Sequence, residues 1–211
     1  DEKKVRIIPP GLDSLFLEDV PAEELRATRE RFNLPPSFLL FVGAQVPRKN
    51  LVRFVEALKI VHLHGFDIPL VLIGPAGDDS REIRIRAEKL KIGPWVMATG
   101  YLGQREIRNA YRLATVFVLP SLYEGFGMPL VEAMASGVPV AASQTSAIPE
   151  VCRDAAVYFQ PESPESIAEK VVLFLEDEKL RQRLIARGKA RARAFSWKKA
   201  AAETLAFYEA V

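Results

Sequence analysis

Glu124 and Glu132 stand on either side of a glycine turn and the start of a helical segment. The stretch 120–135 reads Pro-Ser-Leu-Tyr-Glu-Gly-Phe-Gly-Met-Pro-Leu-Val-Glu-Ala-Met-Ala. Carboxylates accept hydrogen bonds from polyol hydroxyls. The free N–H groups at a helix start, together with its dipole, attract phosphate. Gly125 and Gly127 let the backbone approach a ligand closely, Pro129 suits a first helical turn, and Gly137 ends the helix. Two carboxylates beside an anion site suit a ligand with both phosphate and polyol parts. Taken alone, the stretch reads equally well as a turn with two solvated glutamates.

Arg48 and Lys49 lie in a second segment, which runs from Gly43 and Ala44 to Asn50 and Leu51. Both side chains can meet phosphate oxygens through charge-assisted hydrogen bonds, or they can simply be solvated. A third segment, Gly74-Pro75-Ala76-Gly77-Asp78-Asp79, has room for a ligand or serves as a turn in which Asp79 or Ser80 caps the next helix. His62 and His64 precede Gly65 at a helix end and read as capping or solvated groups. The lone Cys152 reads as a small buried residue. The basic run 181–193 reads as a solvated helix face, with contact to anionic lipid as the alternative.

The three loop segments, after Leu119, Val42 and Ile73, each follow a short apolar run. The runs are 38–42, 70–73, 96–99, 116–119, 138–142 and, more weakly, 156–159. They are too short for core helices and rich in branched or aromatic residues. Helical stretches are expected between them at 50–62, 79–90, 104–113, 128–135 and 148–151. Such alternation predicts an α/β fold: one Rossmann-like domain with about six parallel strands, helices on both faces and three helical stretches after Pro164. Ligands bind such sheets beyond the carboxyl ends of the strands, where the charged segments sit.

The 29 basic and 27 acidic residues nearly balance, so total charge gives no indication of a nucleic-acid partner. One cysteine excludes an internal disulfide, no carboxylate cluster suggests a metal, and no apolar run reaches the roughly 18 residues of a membrane span. The chain starts at Asp1 and enters a strand-like segment, 5–8, almost at once, as a fragment or processed product would.

Together these stretches resemble the group 1 (family 4) retaining glycosyltransferases of the GT-B fold. Glu124 and Glu132, with seven residues between them, match that family's paired-glutamate signature. The opening Ile7-Ile8-Pro9-Pro10-Gly11-Leu12-Asp13 is similar to the segment entering its C-terminal domain. Pro47-Arg48-Lys49-Asn50-Leu51 resembles its donor-phosphate loop, and Ile148-Pro149-Glu150-Val151 its segment after the next strand. The resemblance implies a nucleotide-sugar (donor) domain over 1–211. Residues 1–13 would be the incoming interdomain segment, and 195–211 a helix crossing back to an absent N-terminal domain.

By the same resemblance, Lys49 neutralises the donor diphosphate with Arg48 nearby. Glu124 contacts hydroxyls of the transferred sugar and Glu132 the ribose. Gly43, Gly74 and the backbone of Gly125, Phe126 and Gly127 border the donor, while Tyr101 and Leu102 lie near the base. The family arginine that follows the first strand's glycine is replaced here by Ala44, and Arg48 is the residue that could supply its charge. The Pro-Arg-Lys-Asn form is similar to bacterial mannosyltransferases of surface-polysaccharide (lipopolysaccharide) assembly, which implies a GDP-mannose donor.

Further expectations are a glycan or lipid-linked acceptor on the absent domain, no cofactor, metal or nucleic acid, and a cytoplasmic location with peripheral contact to the inner membrane face. The isolated domain is expected to bind donor without turnover. Alternatives are a glycogen- or sucrose-type synthase domain using UDP- or ADP-glucose, a non-catalytic nucleotide-sugar binding module, and a sugar-nucleotide epimerase. A dinucleotide dehydrogenase is disfavoured, because its fingerprint needs glycine or alanine where Leu130 stands and an acid near Ala141-Ala142-Ser143.

Overall fold

The computed structural model describes residues 5–210. Its centre is a six-stranded sheet, β1 (Leu39–Val42), β2 (Leu70–Ile73), β3 (Val96–Gly100), β4 (Val116–Leu119), β5 (Val140–Ser143) and β6 (Ala156–Phe159). Every pairing is parallel and the order is β3-β2-β1-β4-β5-β6. Each residue of β1, β2, β4 and β5 is buried, as uninterrupted apolar runs require when helices cover both sheet faces. The edge strand β3 is only half-buried.

The helices are α1 (Ala22–Arg31), α2 (Leu51–Leu63), α3 (Ser80–Lys89), α4 (Gln104–Leu113), α5 (Met128–Ser136), α6 (Ile148–Cys152), α7 (Pro164–Glu176), α8 (Glu178–Ala192) and α9 (Trp197–Ala210). Helix α2 packs against α3 and α7, while α1, α4, α5 and α8 form a second contiguous set. Along α2, the buried Leu51, Phe54, Val55, Leu58 and Val61 follow the 3–4 spacing of one helix face. Helices α5 and α8 approach closely at Gly188, where a Cβ would meet Met134 at 3.2 Å.

The ends of the chain differ from expectation. Residues 1–4 of the expected incoming segment lie outside the described residues. Segment 5–8 forms no strand: Val5 and Ile7 are 74% and 85% exposed, with no neighbouring strand to bond. Pairing begins at Leu12, whose N–H donates to Phe195 O at 3.1 Å and which bridges Ser196 in parallel. Gly11 is needed there, since its Cβ would lie 2.1 Å from Trp197 N. Helix α9 buries Ala200 and leaves Trp197, Leu205 and Tyr208 exposed.

At the third loop, Asp79 makes no side-chain cap to α3, and Ser80 Oγ instead accepts from Gly77 N–H at 2.8 Å. The serine therefore closes the turn rather than capping the helix. His62 pairs with Ile68 O and stacks edge-on against Trp95, and Cys152 is buried.

Candidate functional site

Sheet order reverses between β1 and β4, because the chain moves from β1 to β2 on one side and returns to β4 on the other. Loops leaving the carboxyl ends of these two strands diverge and open a crevice. Arg48 and Lys49 occupy the loop after β1, and Glu124 the loop after β4.

These three side chains meet. Lys49 Nζ donates to Glu124 Oε1 at 2.5 Å, and Arg48 Nη1 donates to Glu124 Oε2 at 2.9 Å. Ser121 Oγ adds a third donor, to Oε1 at 2.7 Å. Lys49 and Glu124 are about nine-tenths buried, whereas the Arg48 side chain is 47% exposed. Burial pushes the Glu124 carboxyl up. The hydrogen bonds from Lys49 and Ser121 and the charges of Lys49 and Arg48 outweigh it and hold the group below the usual carboxylate range.

Backbone links keep the loops in place. Asn50 holds a left-handed conformation (φ 59°) and its amide donates to Pro120 O at 3.0 Å and Pro161 O at 2.7 Å. It thereby ties the loops after β1, β4 and β6 together. Leu122 N–H donates to Arg48 O, and Glu124 N–H donates to Ser146 Oγ in the loop after β5, both at 2.9 Å. Gly43 and Gly74 sit back to back at positive φ, and a Cβ on Gly74 would fall 2.2 Å from Gly43 O.

Helix α5 begins beside Glu124. Gly127 caps it at φ 92° and Pro129 sits in its first turn. No protein acceptor takes the N–H groups of Gly125, Phe126 or Gly127 among the described residues. Gly125 faces open space, while the Phe126 ring packs edge-on against Phe195 at 5.4 Å.

Glu132 lies further along α5 and accepts from the Tyr111 hydroxyl at 3.1 Å. It makes no hydrogen bond or ion pair with Lys49 or Arg48. Burial raises its pKa, the Tyr111 hydrogen bond opposes this, and Asp13 adds to the rise. The two glutamates are thus tuned in opposite directions.

Tyr101 is 79% exposed after β3, but the Leu102 side chain is buried in the core. Leu102 can therefore offer a ligand only its backbone. Ala44 leaves no cation directly after Gly43, and Arg48 is the cation that joins Lys49 at Glu124. Asn50, Ser121, Ser146 and Tyr111 gain their roles from the fold. Asn50 and Ser121 lie inside the recognised stretches, so neighbourhood was a usable signal for them. Ser146 and Tyr111 act only through the fold.

Residues 23–191 match the family described as Glycosyl transferases group 1. The O-antigen chain mannosyltransferase B of Escherichia coli is 32% identical over 195 residues, covering 92% of this chain and 51% of that protein. The chain thus spans about half the length of this curated relative. Sucrose-phosphate synthase from Thermosynechococcus elongatus superposes with a TM-score of 0.79 at 28% identity, covering 97% of this chain and 52% of that one. Anabaena Alr3699/HepE, solved in complex with UDP and glucose, gives a TM-score of 0.87 at 18% identity over 98% of this chain and 57% of that one.

Proposed function

The chain belongs to the group 1 glycosyl transferases, and from that premise we propose that it is the donor-binding half of a retaining hexosyltransferase. Its ligand in this reading is a nucleoside-diphosphate sugar, with GDP-mannose as the preferred donor. The supporting observation is the meeting of Lys49 and Arg48 with Glu124 next to the start of α5. That arrangement puts two cations, a helix dipole and a hydroxyl-accepting carboxylate within one crevice.

Glycosyl transfer develops positive charge on the sugar and negative charge on the departing diphosphate. Lys49, Arg48 and the N–H groups opening α5 would stabilise that negative charge once the donor is bound, which is usually the largest catalytic effect such a site offers. Charge neutralisation is assigned to these groups rather than to a metal ion. Glu132 would hold the ribose and Tyr101 would lie near the base. The acceptor, a glycan or lipid-linked saccharide, would be held by a preceding domain.

Mannose is favoured by the Escherichia coli mannosyltransferase relative. The sucrose-phosphate synthase likeness supports the second reading, a glucosyl donor on UDP or ADP. Calorimetric titration with GDP, UDP and ADP separates the two readings. Lys49→Ala should weaken the preferred nucleotide by about one to two orders of magnitude, the value of a hydrogen bond to a charged group. Unchanged affinity in that variant would remove Lys49 from the site and the proposal with it.

A further inference from the structure

Glu124 already receives three hydrogen bonds, from Lys49, Arg48 and Ser121. A carboxylate offers about four acceptor positions, so little capacity is left for a sugar hydroxyl. Lys49 Nζ gives Glu124 its one side-chain hydrogen bond among the described residues, and Arg48 Nη1 is shared between Glu124 and Tyr123 O, the latter at 3.0 Å. The groups assigned above to the diphosphate and to the sugar are therefore paired with one another.

We propose that Glu124 is a built-in stand-in for the diphosphate, and that exchange of its partners makes the site discriminate nucleotide-sugar from bare nucleoside diphosphate. The inference rests on the donor-site reading above. An arriving diphosphate draws Lys49 and Arg48 away from the carboxylate. A sugar on that diphosphate repays the loss, because its hydroxyls donate to the oxygens just vacated. A nucleoside diphosphate without sugar leaves Glu124 buried with Ser121 alone, an uncompensated charge that opposes binding. Once the sugar has been transferred, Glu124 reclaims both cations and favours release of the spent nucleotide.

The test measures dissociation constants for matched pairs, GDP with GDP-mannose, UDP with UDP-glucose and ADP with ADP-glucose. It uses the wild-type chain, Glu124→Gln and Glu124→Asp, with a thermal melt of each to establish folding. The wild type should prefer the sugar-bearing member of its pair. Glu124→Gln should bind the bare nucleoside diphosphate about tenfold more tightly than wild type and the nucleotide-sugar no more tightly, so that the preference collapses. Glu124→Asp, one methylene short of Lys49, should fall between them and serves if the Gln variant does not fold. Nucleoside-diphosphate affinity that is unchanged or weaker in the folded variants overturns the stand-in while leaving the donor site intact. Absence of any nucleotide binding by the wild type overturns the donor-site reading itself, and the inference with it.

Discussion

Tyr111 on α4 donates its phenolic hydroxyl to Glu132 on α5 across 3.1 Å, and burial raises the pKa of both groups. A carboxyl whose folded pKa is raised destabilises the fold at neutral pH, because the unfolded chain ionises more readily. That penalty fades as pH falls through the raised folded value. Glu132→Gln keeps an acceptor for Tyr111 and removes the charge. The variant should therefore melt higher than wild type at pH 7, with the gap closing by about pH 4, while losing nucleotide affinity. A lower melting temperature at pH 7 would show that the buried charge is not a liability.

The Lys49–Glu124 pair has the opposite sign. The depressed folded pKa of Glu124 contributes stability that is present above its ordinary value of 4.5 and lost as pH falls through the folded one. Lys49→Met should destabilise by about 3–5 kcal/mol at pH 7, the effect of breaking a buried pair from one side. The loss should shrink toward acid pH, where Glu124 protonates. Adding Glu124→Gln should recover most of it, and chemical denaturation of the double-mutant cycle gives the coupling.

Gly74 and Gly125 make opposite predictions. A Cβ at Gly74 collides with Gly43 O at a positive φ of 138°, so Gly74→Ala should lower the melting temperature sharply and displace the loop after β1. Gly125 has nothing within 4 Å. Gly125→Ala should melt like wild type yet bind nucleotide-sugar more weakly, if ligand passes close to that backbone. Equal binding by the alanine variant would move the ligand elsewhere.

Asn50 combines a left-handed conformation with two carbonyl partners. Asn50→Gly retains the first and loses the second, whereas Asn50→Ala loses both. The glycine variant should lose about 1–3 kcal/mol for two hydrogen bonds, and the alanine variant about 1–2 kcal/mol more for strained backbone. Equal losses in urea denaturation would mean that the conformation carries no strain.

How much could be read beforehand depended on whether a residue acts within its own segment. Strands 70–73 and 116–119 were legible because four consecutive apolar residues can only be buried on both sheet faces. The strand-like 5–8 is interrupted by Arg6, and it meets no partner strand among the described residues. Helix α1 leaves no apolar stripe in the sequence, because six of its ten residues are charged and it buries only Thr28. Lys49 and Glu124 were legible through their neighbours in turn-and-helix stretches. The contact from Asn50 to Pro161 spans 111 residues of chain, and no local pattern encodes it. Tyr111 is likewise a core aromatic until the fold brings Glu132 to its hydroxyl.

The pairing of Leu12 with Phe195 and Ser196 has a mechanical consequence. A pull applied to the segment before Leu12 and to the segment after Ser196 loads this parallel junction in shear. The sheet lies outside that line of force, since the tension crosses from residue 12 to residue 196 without entering β1–β6. The first event under load should be the parting of the Leu12–Phe195 hydrogen bond and the release of α9, whose buried residue among those described is Ala200. Arg48, Lys49 and Glu124 would keep their geometry through that first extension, because the loops that carry them hang from strands that have not yet felt the force.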